Sequence, residues 1–316
     1  MNELFEKIEQ CSKDGSSFGV NCGYTAIDEA LSGFNIASLN VIGSRPSMGK
    51  SSFIETMMLN MSTKLGLSVL YFSLESQAED TLVRFAISLS GISLDRLKSG
   101  KLTPDEWKHL EESTKILKSA NLYIETPNDI TIDAICQQIR DKFELAPNIN
   151  AVFIDYLQLI SADKSNPIVN REQEIGHIAR RLKFLAKELN IPIFITSQLN
   201  RRSFNENRNS VTPQLEDLRD SGVIEDVADT ITFIHRPEYY GIYYTEDGLP
   251  TSGLAEINII KNRYGSTHNL VLRFIKEQFR FEDMNSIDNE SDFSVNAESM
   301  PILTNEFDSD TTSAPF

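Results

Sequence analysis

Apolar residues along this chain follow two alternating patterns. Short apolar runs, SLNVIG, SVLYFSLE, AVFIDYLQLI, IPIFITSQ and ADTITFIHR, are separated by stretches with a helical period. In Arg171 to Leu189, for example, Ile175, Ile178, Leu182, Leu185, Ala186 and Leu189 form one stripe, with Arg180, Arg181, Lys183 and Lys187 mostly outside it. Apolar strands alternating with amphipathic helices predict an α/β fold, a mostly parallel central sheet flanked by helices. Several strands end in a polar residue: Glu75, Asp155, Gln198 and His235. Ligands of open α/β sheets lie beyond the carboxyl ends of the strands, so these ends predict a site.

The pattern divides the chain into three zones. In residues 1–19, Leu4, Phe5, Ile8 and Cys11 share a helical face over Asn2 to Ser12, before DGSSFG breaks the period. So short a helix needs a partner surface, on its own domain or on a neighbouring subunit. Residues 20–282 carry the strand and helix alternation. Within them Asp217 to Asp226 reads as a loop, and Pro237 to Gly253, with its tyrosines and glycines, as an excursion. Trp107 falls on a helical stretch and reads as a packing residue rather than a platform for base stacking. Residues 283–316, rich in Asn, Ser, Asp, Glu and Thr, predict an acidic disordered tail.

Charge changes the picture less than its sum suggests. The chain has 316 residues and a net charge of −16, but nine acidic residues and no lysine or arginine fall between Glu282 and Phe316. About −7 is left on the preceding 281 residues, which does not exclude a nucleic-acid partner held in a confined channel. The three cysteines have no paired spacing, which speaks against a zinc or disulfide framework and for a reducing cytoplasm. No apolar run approaches the roughly 18 residues needed to span a bilayer, and no membrane role is expected.

The densest chemistry is Ser44-Arg-Pro-Ser-Met-Gly-Lys-Ser51, between a strand and the helix Ser52 to Leu65. Backbone N–H groups of such a loop and the helix N-terminus cradle phosphates. Lys50 would reach the β- and γ-phosphates of ATP, and the Ser51 hydroxyl would bind Mg²⁺. The general pattern G-x-x-x-x-G-K-[ST] has glycine where Ser44 stands. Asp155, closing an apolar strand, can hold the metal-side water shell once it is paired with such a loop. Glu75 is either the base that polarises the attacking water or simply an acid before the helix Gln77 to Ser90.

The segments PSMGKS, FSLE, DYLQL, SQLNRR, LRDSG, IEDVADTITFIHR and IIKNRYG occur in this order. Together they resemble the C-terminal, RecA-like motor domain of DnaB-type replicative helicases, over about Gly23 to Phe281. That family has alanine at the position of Ser44. By this resemblance the family's separate N-terminal helical domain is expected to be missing, with Asn2 to Ser12 standing where the family has its linker helix.

The resemblance implies a hexameric ring that hydrolyses ATP between subunits and moves along single-stranded DNA in replication. It makes Lys50 and Ser51 the phosphate and Mg²⁺ ligands, with Ser47, Gly49 and Ser52 lining the loop. Glu75 becomes the catalytic base, Asp155 the metal-side carboxylate, Arg84 a nucleotide-contacting arginine and Gln198 the γ-phosphate sensor. Lys261 and Arg263 match the pair donated in trans to the next subunit's ATP; without the resemblance they read as exposed residues of a strand. Arg219, Asp220 and Gly222 match the loop that tracks the DNA backbone; alone, RDSG reads as a turn.

Expected partners are a primase, polymerase or loader, in a bacterial cell or phage-infected host. The tail ending in Pro315 and Phe316 is either a docking peptide for such a partner or a solubilising extension. Two other functions fit the same core: a RecA-like ATPase of recombination or DNA remodelling, separable by rings against filaments, and a ring ATPase acting as an assembly factor without unwinding, separable by strand displacement.

Overall fold

The computed structural model describes residues 5, 9, 11–13, 17–162, 170–199, 212–218, 221–245 and 248–284. Its strands are β1 (Leu39–Ser44), β2 (Ser68–Ser73), β3 (Leu122–Glu125), β4 (Ile149–Asp155), β5 (Ile193–Gln198), β6 (Thr230–His235), β7 (Leu254–Asn262), β8 (His268–Ile275) and β9 (Arg280–Asp283). Its helices are α1 (Thr25–Leu31), α2 (Lys50–Leu59), α3 (Ala78–Ser90), α4 (Leu94–Ser99), α5 (Pro104–Ser119), α6 (Ile132–Leu145), α7 (Arg171–Leu189) and α8 (Ser221–Val227). All these strands join one sheet in the order β3-β2-β4-β5-β1-β6-β7-β8-β9. From β3 to β6 neighbours are parallel, and from β6 to β9 they are antiparallel.

Each inner strand is mostly apolar and almost wholly buried because both its faces are covered. On β1, Val41 joins one core cluster and Ile42 the other; on β4, Ile154 and Phe153 divide in the same way. One cluster takes Ile135 and Ile139 of α6 with Ile178 and Leu182 of α7. The other takes Ile27 of α1 with Phe53, Met57 and Met58 of α2. Side chains alternating across a strand thus feed two layers of helices.

Three expectations need correction. The run Ala151 to Ile160 is not one strand: β4 stops at Asp155, and Leu157–Leu159 is a 3-10 turn whose buried Leu157 imitates a continuing strand. The stretch Asp217 to Asp226 is not all loop, since α8 begins at Ser221. Two helical turns are too few to show a period, and α8 is held by packing instead. Its Ile224 is buried, and Gly176 of α7 makes room for it, since a Cβ there would lie 2.6 Å from Val223 Cγ1. The helix expected over Ser52 to Leu65 is present, as α2 continued by a π-helical turn at Asn60–Lys64. Trp107, expected to pack, is 54% exposed on α5. At the N-terminus the described residues Phe5, Glu9 and Cys11–Lys13 are helical, and Phe5 is exposed.

Candidate nucleotide site

Strand order builds the site. β5 lies between β1 and β4, so the ends of three parallel strands sit side by side. β1 runs into the loop Arg45–Gly49 and then α2. Gly49 has φ of 89°, a left-handed conformation that suits glycine, and a Cβ there would press within 3.2 Å of the Phe281 ring. Ser47 is also left-handed, with φ of 65°.

Asp155 is the hub. Ser51 Oγ donates to its Oδ2 at 2.6 Å, the Thr196 hydroxyl of β5 donates to Oδ1, and Lys50 Nζ lies 3.4 Å from Oδ1. The ammonium also sits 4.5 Å from the centre of the Tyr156 ring, and the Asp155–Tyr156 peptide is cis. A hydroxyl beside a carboxylate offers the hard oxygen donors that Mg²⁺ selects, and the lysine adds a positive charge for phosphate. The donor set therefore fits a magnesium–nucleoside triphosphate.

These residues open on a cavity of about 400 Å³. The structure brings most of the expected site residues to it: Ser47, Gly49, Lys50, Ser51, Ser52, Glu75, Arg84 and Gln198 all line its wall. Asp155 lies beneath them, buried. Glu75 is exposed just past β2, close enough that its charge, after burial, helps to raise the Tyr156 hydroxyl above its ordinary range. Gln198 pairs with Ser44 in register, and its N–H donates to Gln158 Oε1 at 3.2 Å. His235 is different. Though it ends β6, it is buried against Tyr240, and burial followed by the nearby Arg45 charge pushes it down to about 4. Its neighbour Arg236 lines the cavity instead.

Sequence reading missed several contributors. Gln158 couples the tips of β4 and β5, through Nε2 to Ser197 Oγ at 2.9 Å as well as through Gln198. Arg236, Phe274, Lys276 and Phe279 close the far wall. Glu55 of α2, a carboxylate inside the apolar run FIETMML, is buried and faces Arg84. That interruption of an apolar run was the available signal.

Lys261 and Arg263 lie elsewhere. Lys261 pairs with Ile231 at the start of β6, and Arg263 N donates to Asp229 O. Asp229 also caps the start of β1, accepting from Leu39 N at 2.8 Å. Both residues therefore sit at the amino ends of strands whose carboxyl ends carry the phosphate loop. β1 has six residues, and its steps of about 3.3 Å from the first Cα to the last separate the two ends by about 17 Å. Neither residue lines the cavity of its own chain. Lys261 Nζ donates to Glu225 O, and burial followed by the Arg263 charge lowers its pKa. Arg263 donates to Asp226 O at 3.1 Å and to Asp229 Oδ1 at 3.3 Å.

Of the expected DNA loop, Gly222 is exposed in the first turn of α8. Arg219 and Asp220 lie outside the described residues, as do Asn200 to Arg202 of SQLNRR and residues 285–316 of the tail. Among the described residues, no helix is long and apolar enough to cross a membrane.

Comparison with known proteins adds ancestry to this geometry. The DnaB-like helicase C-terminal domain family matches residues 19–283. The replicative DNA helicase DnaB of Geobacillus stearothermophilus is 34% identical over 283 residues, covering 89% of this chain and 60% of that protein. A probable plasmid replicative DNA helicase of Chlamydia psittaci is 38% identical over 256 residues, 81% of this chain and 54% of that protein. Among solved structures, an isolated ATPase domain matches with a TM-score of 0.80 at 30% identity, covering 89% of this chain and 96% of that one. A structure of a DnaB-like replicative helicase and its interactions with primase matches with a TM-score of 0.79 at 30% identity, over 89% of this chain and 66% of that one. The chain thus spans about 60% of the length of the first of these relatives.

Proposed function

The chain belongs to the DnaB-like helicase C-terminal domain family, and we propose that it is an ATP-driven motor that moves along single-stranded DNA during replication. One observation carries this reading. Lys50, Ser51 and Asp155 gather beside the cavity at one end of the sheet, and Lys261 and Arg263 stand at the other end, outside that cavity.

Such a split makes sense in a ring, as in the proposed hexamer, where Lys261 and Arg263 of one subunit meet the triphosphate held by the next. Lys50 neutralises the β- and γ-phosphates, and Ser51 and Asp155 hold Mg²⁺, which supplies charge stabilisation for phosphoryl transfer. Glu75 orients and polarises the attacking water. Gln198 senses the γ-phosphate, and its link to Gln158 carries that state along the strand tips. Arg84 contacts the nucleotide, with Ser47, Gly49 and Ser52 shaping the loop. An always-charged guanidinium from Arg263 stabilises charge on the transferring phosphoryl oxygens, so hydrolysis requires assembly.

Arg219, Asp220 and Gly222 form the proposed DNA contact, a backbone-directed one without base reading. Residues 20–282 act as the motor, 1–19 as a linker to a neighbouring subunit, and 283–316 as a tail that recruits a primase, polymerase or loader in a bacterial or phage-infected cytoplasm. Strand displacement on a forked duplex, with and without ATP, tests the reading. Unwinding that needs ATP is the expected result. Confirmed rings that hydrolyse ATP yet release no strand would overturn the motor assignment.

A further inference from the structure

The cavity has a buried carboxylate beneath it that the proposed hydrolysis does not use. Glu55 lies on α2, four residues after Ser51, with its side chain 5% exposed. Its Oε1 lies 3.4 Å from Arg84 Nη1, while its Oε2 is buried with no hydrogen-bond partner. Arg84 is one-third exposed, lines the cavity, and stands 5.6 Å from the Phe279 ring centre. The guanidinium thus stands between two claims, a buried carboxylate behind it and the cavity in front.

We propose that Glu55 is a positioning residue for Arg84, holding the guanidinium against α2 until a nucleotide polyphosphate draws it into the cavity. This rests on the nucleotide-site reading above and adds a consequence to it. An ionised carboxylate with one unpaired oxygen in a dry site is costly, and Arg84 is its compensation. Other elements facing Glu55 offer none: Asp155 on β4 is a like charge, and Tyr71 on β2 is a buried hydroxyl pushed far above its ordinary range. Burial raises Glu55 to about 7, against the lowering effect of Arg84 and with a further push from Asp155. When Arg84 leaves, its lowering influence is lost while burial, the largest cause of the raised value, remains, and the carboxylate takes up a proton from water.

The sign follows from linkage. The nucleotide-bound state holds more protons than the free one, so binding weakens as pH rises through the range where free Glu55 ionises. A free-state value about 7 and a higher bound-state value give about a tenfold loss of affinity between pH 6 and pH 8. The nucleotide's own phosphates and the magnesium equilibrium also titrate, so the reference is the neutral isostere Glu55→Gln.

The experiment is a calorimetric titration of the full chain with a non-hydrolysable ATP analogue and Mg²⁺, at pH 6, 7 and 8, in two buffers of different ionisation heat. Wild type is expected to lose about tenfold more affinity than E55Q over this range and to take up as much as about one more proton per site. Arg84→Ala removes the same difference, because its carboxylate never loses a partner. Glu55→Met fills the space without charge and carries the same expectation as E55Q, should the amide disturb folding. Equal slopes and equal proton uptake in wild type and both Glu55 variants overturn the proposal. Failure of every variant, wild type included, to bind the analogue overturns the nucleotide-site reading itself, a different result from binding with equal slopes.

Discussion

The two ends of the parallel sheet hold their charges in opposite ways. At the carboxyl ends, Asp155 is buried and the groups around it, Ser51, Thr196 and Lys50, all come from neighbouring elements of one chain. At the amino ends, Asp229 is equally buried and gathers Lys183, the Leu39 N–H, Tyr264 and Arg263. Yet Lys50 and Ser51, which meet the first carboxylate, line a cavity, and Lys183 and Arg263, which meet the second, do not line it. The first end is built to receive something. The second is an anchor from which Arg263, almost half exposed, points outward. In the proposed reading, one chain carries a receiving half and a donating half, too far apart to meet. That division predicts different failures for the two ends.

The largest effect belongs to the receiving end. Lys50→Ala removes the cation seated against Asp155, and both nucleotide affinity and turnover suffer. A fall of about ten thousandfold in kcat/KM for ATP is expected, about 5 kcal/mol of lost transition-state stabilisation. A fall below about tenfold in steady-state ATPase would remove Lys50 from the site. Arg263→Ala breaks the other end. It should leave nucleotide affinity within about twofold while kcat falls about a thousandfold. Mixed with Glu75→Gln protein, it should recover activity, since some interfaces then join two intact halves. Co-assembled mixtures that show no recovery would return Arg263 to a purely structural role.

Asp229→Asn separates anchor from reaction. Lys183 is buried beside Asp229 and also donates to Ala37 O. Neutralising the acid leaves a buried ammonium without its counter-charge, at a cost of about 3 kcal/mol. Urea denaturation should show that loss as a lower midpoint at unchanged slope. Nucleotide affinity, set about 17 Å away along β1, should hold. An equal loss of affinity would mean that the two ends are not independent.

How much of this was legible in the sequence depends on how far apart the partners lie along it. The phosphate loop is local: a strand, a left-handed glycine, then Lys50 and Ser51 opening a helix, all within one short segment. Asp155 and Gln198 were legible as polar residues closing apolar strands. Thr196 was not, because its bond to Asp155 exists only once β5 lies between β1 and β4, a fact of strand order. Glu55 and Arg84 are on different helices and pair for the same non-local reason. The helix α8 was hidden because Gly176 and Val223 decide it, not its own short pattern. The antiparallel edge, β7 to β9, supplies Phe274 and Phe279 to a cavity whose other wall lies far earlier in the chain, at Ser44 to Ser52.

The smallest effects give the sharpest contrast, through one conservative change at each end. Thr196→Val keeps the shape of the side chain and deletes the hydroxyl that donates to Asp155 Oδ1. The bond is buried and its acceptor charged, a class worth about 1.5–3 kcal/mol. Losing it frees Asp155 to turn from Ser51, so the apparent affinity for Mg²⁺ in ATP hydrolysis should weaken about tenfold. Tyr264→Phe deletes a hydroxyl that meets Asp229 Oδ1 at 3.4 Å, from a ring 58% exposed. So long a bond on so wet a side chain is worth little, and Asp229 keeps Lys183, Leu39 N and Arg263. Stability and ATPase should stay within about twofold of wild type. Magnesium titrations of ATPase activity on the two variants decide the matter. If Tyr264→Phe proves as damaging as Thr196→Val, the amino-end anchor is as finely set as the phosphate site, and the contrast between a receiving end and a donating end is wrong.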